Sequence, residues 1–144
     1  MTVTGAEAIA AKFAAAAKVV PTVAVPSGLT KCGLLVTRVA KQKAPVDTGN
    51  LKLSIFMDPV SPVEVDVASP AEYSVYVEYG TSAHEIRPTN GKALFWPGAA
   101  HPVAVVHHPG TTAQPYMRPA LDESKPAIEA LLGVSVITAI ESVV

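Results

Sequence analysis

The chain has 144 residues, 49% hydrophobic and 16% charged, which gives enough apolar material for one folded core and argues against global disorder. Its formal net charge of −1 disfavours a protein that grips nucleic acid over its whole surface, since such a protein would be basic. One cysteine, Cys32, leaves no internal disulfide, so synthesis in a reducing cytoplasm is expected.

The opening residues MTVTGAEAIAAKF lack the basic-then-apolar order of a secretory leader. No apolar run reaches the roughly 18 residues of a membrane span, so no membrane contact is expected. Residues 1–144 read as one structural domain. Within it, 1–27 is an N-terminal helix and linker, 28–133 the core and 134–144 a C-terminal extension.

Residues 4–19 predict a helix, with Thr4 as cap and Ile9 and Phe13 on one face. PTVAVPSG, from Pro21 to Gly28, predicts a break and an extended linker. Cys32, Leu35, Val36 and Val39 give an amphipathic stripe over a second helix, Leu29 to Lys43, which Ala44-Pro45 ends. Leu51, Leu53 and Ile55 alternate with polar residues and predict a strand. Val63, Val65 and Val67 predict a second, and Pro59 and Pro62 place a bend between them. YSVYVEY, Tyr73 to Tyr79, is rich in aromatic and β-branched residues and predicts a third.

Asn90-Gly91 marks a hairpin turn, with Ile86 on one arm and Leu94, Phe95 and Trp96 on the other. Val103 to Val106 predicts a short strand. A last helix should begin near Arg118, with Pro119 in its first turn and Pro126 kinking or restarting it. The stretch from Val134 to Val144 is open between helix and strand. The expected fold is α+β. N-terminal helices and a C-terminal helix pack on a mostly antiparallel sheet of four or five strands with a long hairpin.

Charge is unevenly placed. From Gly28 to Lys52, the basic residues Lys31, Arg38, Lys41, Lys43 and Lys52 stand against Asp47 alone, a net +4. From Asp58 to Gly80, Asp58, Glu64, Asp66, Glu72 and Glu78 stand against no basic residue, a net −5. Two solvated faces are one reading. Head-to-tail association of copies, basic patch to acidic patch, is the other.

Catalytic templates are absent: there is no GxSxG, no phosphate-binding loop and no GxGxxG. His84, His101, His107 and His108 match no metal-ligand spacing, and Cys32 lies on a helix stripe, so neither metal nor cofactor is expected. Leu94, Phe95 and Trp96 cannot all face one side of a strand, so Trp96 is either core or an interface anchor. Arg87 and Lys92 flank the hairpin tip, which could reach a neighbour.

Three segments stand in order: AKQKAPVDTGNLKLSI, AEYSVYVEYGTSAHEIRPTNGKAL and HHPGTTAQPYMRPALDES. Together, from Ala40 to about Lys125, they resemble the tail-component family of siphophages, also called head–tail joining, neck or tail-completion proteins. The resemblance implies a virion structural protein without catalytic activity. It implies ring assembly, usually as a hexamer, at the neck of a long-tailed phage, after synthesis in the host cytoplasm. Implied partners are other copies, head-closure or connector proteins, the tail terminator and the major tail protein.

Non-specific contact with packaged DNA in the lumen is a further implication. The acidic stretch between Asp58 and Gly80 departs from the more basic family pattern and weakens it.

Carried over by position, Asp47, Thr48 and Gly49 shape the turn into the sheet. Tyr76, Glu78, Tyr79, Gly80 and Thr81 shape the strand end before the hairpin. Pro109, Gly110, Thr111, Pro115, Tyr116, Arg118 and Pro119 shape the entry to the last helix. The interface candidates are Lys31, Arg38, Lys41, Glu64, Asp66, Arg87, Lys92 and Trp96. The alternatives are a tail terminator capping the tube, a small metal-dependent hydrolase built on the histidines, and a monomeric adaptor module.

Overall fold

Two prolines expected to interrupt the N-terminal helix are instead absorbed by it. The computed structural model describes residues 5–89 and 91–143. Helix α1, Ala6–Val19, passes into one widened, π-helical turn, Val20–Ala24, and on into α2, Val25–Lys43. Pro21 and Pro26 each fall in the first turn of a segment, where a missing N–H is tolerated. The Val25 N–H bonds the Val20 carbonyl, five residues back, which relieves the crowding a proline ring imposes on a regular turn. Hydroxyls take up neighbouring carbonyls: Thr22 donates to Lys18 at 2.6 Å and Thr30 to Pro26 at 2.9 Å.

The linker expected at 21–28 is therefore helix. Joined in this way, Ala6–Lys43 is long and apolar enough, by length and composition alone, to cross a bilayer. That corrects the expectation that no run qualifies. The proposed cap Thr4 lies outside the described residues, and Gly5 occupies the N-cap position.

The chain forms two compact units, Met1–Ala71 with Tyr116–Val144, and Glu72–Pro115. In the first, α2 ends at Ala44, whose ψ of 127° is the extended value that Pro45 demands. Gly49, at φ 84°, opens a short helix α3, Asn50–Ser54, where a strand was expected. Leu51 and Ile55 are buried and Leu53 is 78% exposed. A spacing of four satisfies both a strand and a helix, so the alternation had two meanings. Strands β1, Phe56–Ser61, and β2, Glu64–Ala68, pair antiparallel, with an irregularity between Asp58 and Ser61 where Pro59 sits.

Met57 and Val65 lie against Gly33 of α2. A Cβ there would stand 2.5 Å from Val65 Cγ1 and 2.8 Å from Met57 Cγ, so only glycine lets the ribbon this close. Helix α5, Met117–Glu141, packs along α2, which settles the ambiguous C-terminal stretch as helix through Glu141; Val144 lies outside the described residues. Pro126 lies within α5, and the helix runs on past it.

The buried residues of the two helices are mostly small: Gly28, Cys32 and Ala40 on α2, Ala120, Ser124, Ser135 and Ala139 on α5. A Cβ on Gly28 would meet Leu132 Cδ2 at 3.0 Å, which shows how near the helices run. Tyr116 and Ile55 are the largest side chains removed fully from solvent. By contrast, α1 buries none of its residues; Phe13 is 73% exposed.

In the second unit, YSVYVEY forms helix α4, Ser74–Tyr79, and not a strand. Ser74 and Glu78, four apart, are its buried pair, while Val75, Tyr76 and Tyr79 face outward. Strand β3, His84–Ile86, pairs antiparallel with β4, Val106–His108. Ile86 thus meets Val106 and not the 94–96 arm, while Leu94 makes an isolated bridge to Val103. Asn90 of the expected hairpin turn lies outside the described residues. Among the described residues, the four- or five-stranded sheet is replaced by two separate two-stranded ribbons. Helices and strands are mixed as expected, but α2 packs most extensively on α5 and only one of its sides meets a ribbon.

Candidate functional site

The family-motif residues of the second unit converge on one tight crossing. Gly80 ends α4 at φ 72°, its N–H bonded to the Tyr76 carbonyl at 2.9 Å. Thr81 and Thr111 then exchange both backbone hydrogen bonds, at 2.9 and 3.1 Å, and the Thr111 N–H also reaches Thr81 Oγ1 at 2.9 Å. Gly110, at φ 88°, precedes Thr111, and a Cβ on it would collide with the Thr81 carbonyl. A Cβ on Gly80 would stand 2.5 Å from the Thr111 carbonyl. Two left-handed glycines therefore let two backbones touch where any side chain would part them.

Beside this crossing, His84 and His108 face each other across the ribbon, ring centroids 5.1 Å apart. His108 Nδ1 accepts the Gly110 N–H at 3.1 Å, and His84 Nδ1 lies 2.9 Å from the Ser82 carbonyl. His107 Nδ1 approaches Glu85 at 3.4 Å. Strand pairing, not sequence spacing, brings these histidines together. Among the described residues, no three His, Cys, Asp or Glu side chains are placed to hold a metal ion. An open groove of about 750 Å³ beside them is lined by Tyr76, Gly80, Thr81, Ser82, His84, His108 and Thr111.

In the first unit, Thr48 sits in the turn before Gly49, its Oγ1 3.5 Å from the Asn50 N–H. Tyr116, 1% exposed, is a core residue; Pro119 lies in the first turn of α5. A groove of about 420 Å³ runs between α2, β2 and α5, with Cys32, Val65 and Ile128 among its walls and Asp66 and Arg118 among its polar residues. Cys32 is 5% exposed and its Sγ points to the Ile128 carbonyl at 3.8 Å.

Burial pushes the Cys32 thiol up from its ordinary value. The thiolate is the reactive form, so a water-soluble disulfide reagent should label the native chain far more slowly than the urea-unfolded chain at about pH 8. Equal rates would show that the thiol is open to solvent.

The interface candidates divide between the units. Lys31 and Arg38 are exposed on α2, and Glu64 and Asp66 are exposed on β2. Arg87 is paired with Glu85 at 2.7 Å, Lys92 is exposed and Trp96 is 46% exposed. Sequence reasoning missed Asp58 facing Asp66 directly across the β1–β2 ribbon, because that register depends on the irregularity at Pro59.

Residues 6–80, just over half of the chain, match the sequence profile of a family described as "Bacteriophage HK97-gp10, putative tail-component". The chain belongs to the HK97-gp10-like tail-component family. The matched stretch takes in α1, which carries no recognisable motif, and stops at Gly80, before the His-Pro-Gly-Thr and Pro-Tyr-Met-Arg-Pro segments. No curated protein and no solved structure matches the chain. As an HK97-gp10-like tail component, the chain is a structural part of a phage particle.

Proposed function

We propose that the chain is a non-catalytic, ring-forming subunit at the head–tail interface of a long-tailed phage, acting as a neck or tail-completion component. Membership of the tail-component family over residues 6–80 carries this reading. Two features of the surface support it. His84, His107 and His108 bond backbone groups and the Glu85 carboxylate, contacts that tie the β3–β4 ribbon together. Large apolar side chains, Phe13, Leu34, Phe56, Phe95 and Trp96 among them, stand at least two-fifths exposed, as suits a subunit covered by neighbours. The partners in this reading are other copies, the head connector, the tail terminator and the major tail protein.

Deleting the gene from its phage tests it by electron microscopy of the lysate. The expected result is filled heads and complete tails that stay unjoined, rescued by the gene in trans. Tails of uncontrolled length would assign the chain to the terminator ring. Normal infectious particles would overturn the virion role altogether.

A further inference from the structure

The ribbon β1–β2 presents a charged outer face that no described residue neutralises with an ion pair. Asp58 and Asp66 stand directly opposite each other across the two strands, and Glu64 lies on the same face as Asp66. Like charges in that position destabilise a ribbon on its own. Phe56, on the same face as Asp58, is 43% exposed. The inner face is spoken for, since Met57 and Val65 lie against Gly33.

Helix α2 has the complementary problem. Lys31, Leu34 and Arg38 lie on the side of the helix turned away from Gly33, at three- and four-residue spacing, and Leu34 is 55% exposed. Among the described residues, no ion pair engages Lys31, Arg38, Lys41, Asp58, Glu64 or Asp66.

We propose that the outer face of the β1–β2 ribbon of one copy docks on the outward face of α2 of the next, with Asp58, Glu64 and Asp66 meeting Lys31, Arg38 and Lys41, and Phe56 beside Leu34. The spans agree. Lys31 and Arg38 are about 10 Å apart along the helix axis, and Glu64 and Asp66 are about 7 Å apart along the strand. Exposed apolar side chains stand among the charges on both elements, Phe56 on the ribbon and Leu34 on α2, so contact buries apolar surface while it satisfies the charges.

Met57 and Val65 of the ribbon and Gly33 of α2 turn toward each other, so the two charged faces of one copy lie on different sides of the packed pair. In a ring each copy offers its ribbon to one neighbour and its α2 face to the other. The contact is therefore heterologous and repeats from copy to copy, closing when the rotation allows. This contact rests on the reading of the chain as a self-assembling virion subunit.

The test uses two variants of the full chain, K31E/R38E and D58K/D66K, followed by native mass spectrometry and sedimentation, with circular dichroism to confirm folding. Each variant alone should associate about tenfold or more weakly than wild type, because like charges now face each other. An equimolar mixture should regain assemblies in which the two variants alternate, since each junction again joins opposite charges.

Three outcomes overturn the contact. They are wild-type assembly by either variant alone, no recovery on mixing, and a wild-type chain that stays monomeric at every concentration reached. Loss of function in K31E/R38E with D58K/D66K unaffected would assign the basic stripe to DNA. If gene deletion abolishes joining while both variants assemble and support phage growth, this contact falls and the virion reading stands.

Discussion

Replacing Gly110 with alanine is expected to detach the β3–β4 ribbon from the end of α4 while leaving the rest of the chain folded. An alanine held at φ 88° carries about 1–2 kcal/mol of backbone strain. Its Cβ also strikes the Thr81 carbonyl and comes within 2.9 Å of the Ser82 carbonyl carbon, and neither backbone atom can yield without breaking the Thr81–Thr111 exchange. The combined cost should exceed about 3 kcal/mol, beyond what an ordinary surface substitution produces.

Hydrogen exchange is the measurement. The Thr81 and Thr111 amides should lose most of their protection, while amides of α2 and α5 keep theirs. Gly98 is the control. It has φ 96°, but an alanine Cβ at that position would find no atom within 4 Å, so G98A isolates strain from collision. Equal effects of G98A and G110A would show that the collision contributes nothing.

Tyr116→Ala should be the most damaging truncation in the first unit. Tyr116 is 1% exposed, and most other residues of that core are small or of medium size. Few large neighbours are present to relax into the space, so the loss should be about 3–5 kcal/mol, as for other buried aromatic truncations. In urea the midpoint should fall with an unchanged slope. Leu53→Ala, at a position 78% exposed, should change stability by less than about 0.5 kcal/mol. If the two variants unfold alike, Tyr116 is not the keystone its burial indicates.

Much of the fold was readable from the residues, and each misreading has its own cause. Helix α2 from Leu29 and the start of α5 announced themselves by apolar spacing, and β2 by a clean alternation of valine with acidic residues; the unbroken run of α5 past Pro126 to Glu141 did not. YSVYVEY misled because its residue types favour strands, while its buried positions, Ser74 and Glu78, are polar and gave no periodic signal.

Pro21 and Pro26 misled because proline is ordinarily a breaker, and one widened turn with hydroxyls bonded to nearby carbonyls could not be read from composition. The motif glycines were legible as turn residues. What they turn, the contact between residues 80–81 and 110–111, is about thirty residues apart in sequence and appears only in three dimensions.

The widened turn at Val20–Ala24 has a geometric consequence for the arm ahead of it. A regular helix turns about 100° per residue, so accommodating one extra residue swings everything upstream by roughly that angle. Ile9 and Phe13, which no part of the core restrains fully, are aimed by that single irregularity. Removing one residue there would rotate the same oily pair to a different compass bearing, away from Ile140 of α5. The arm behaves as a pointer whose heading is set at that joint and held by its contact with α5.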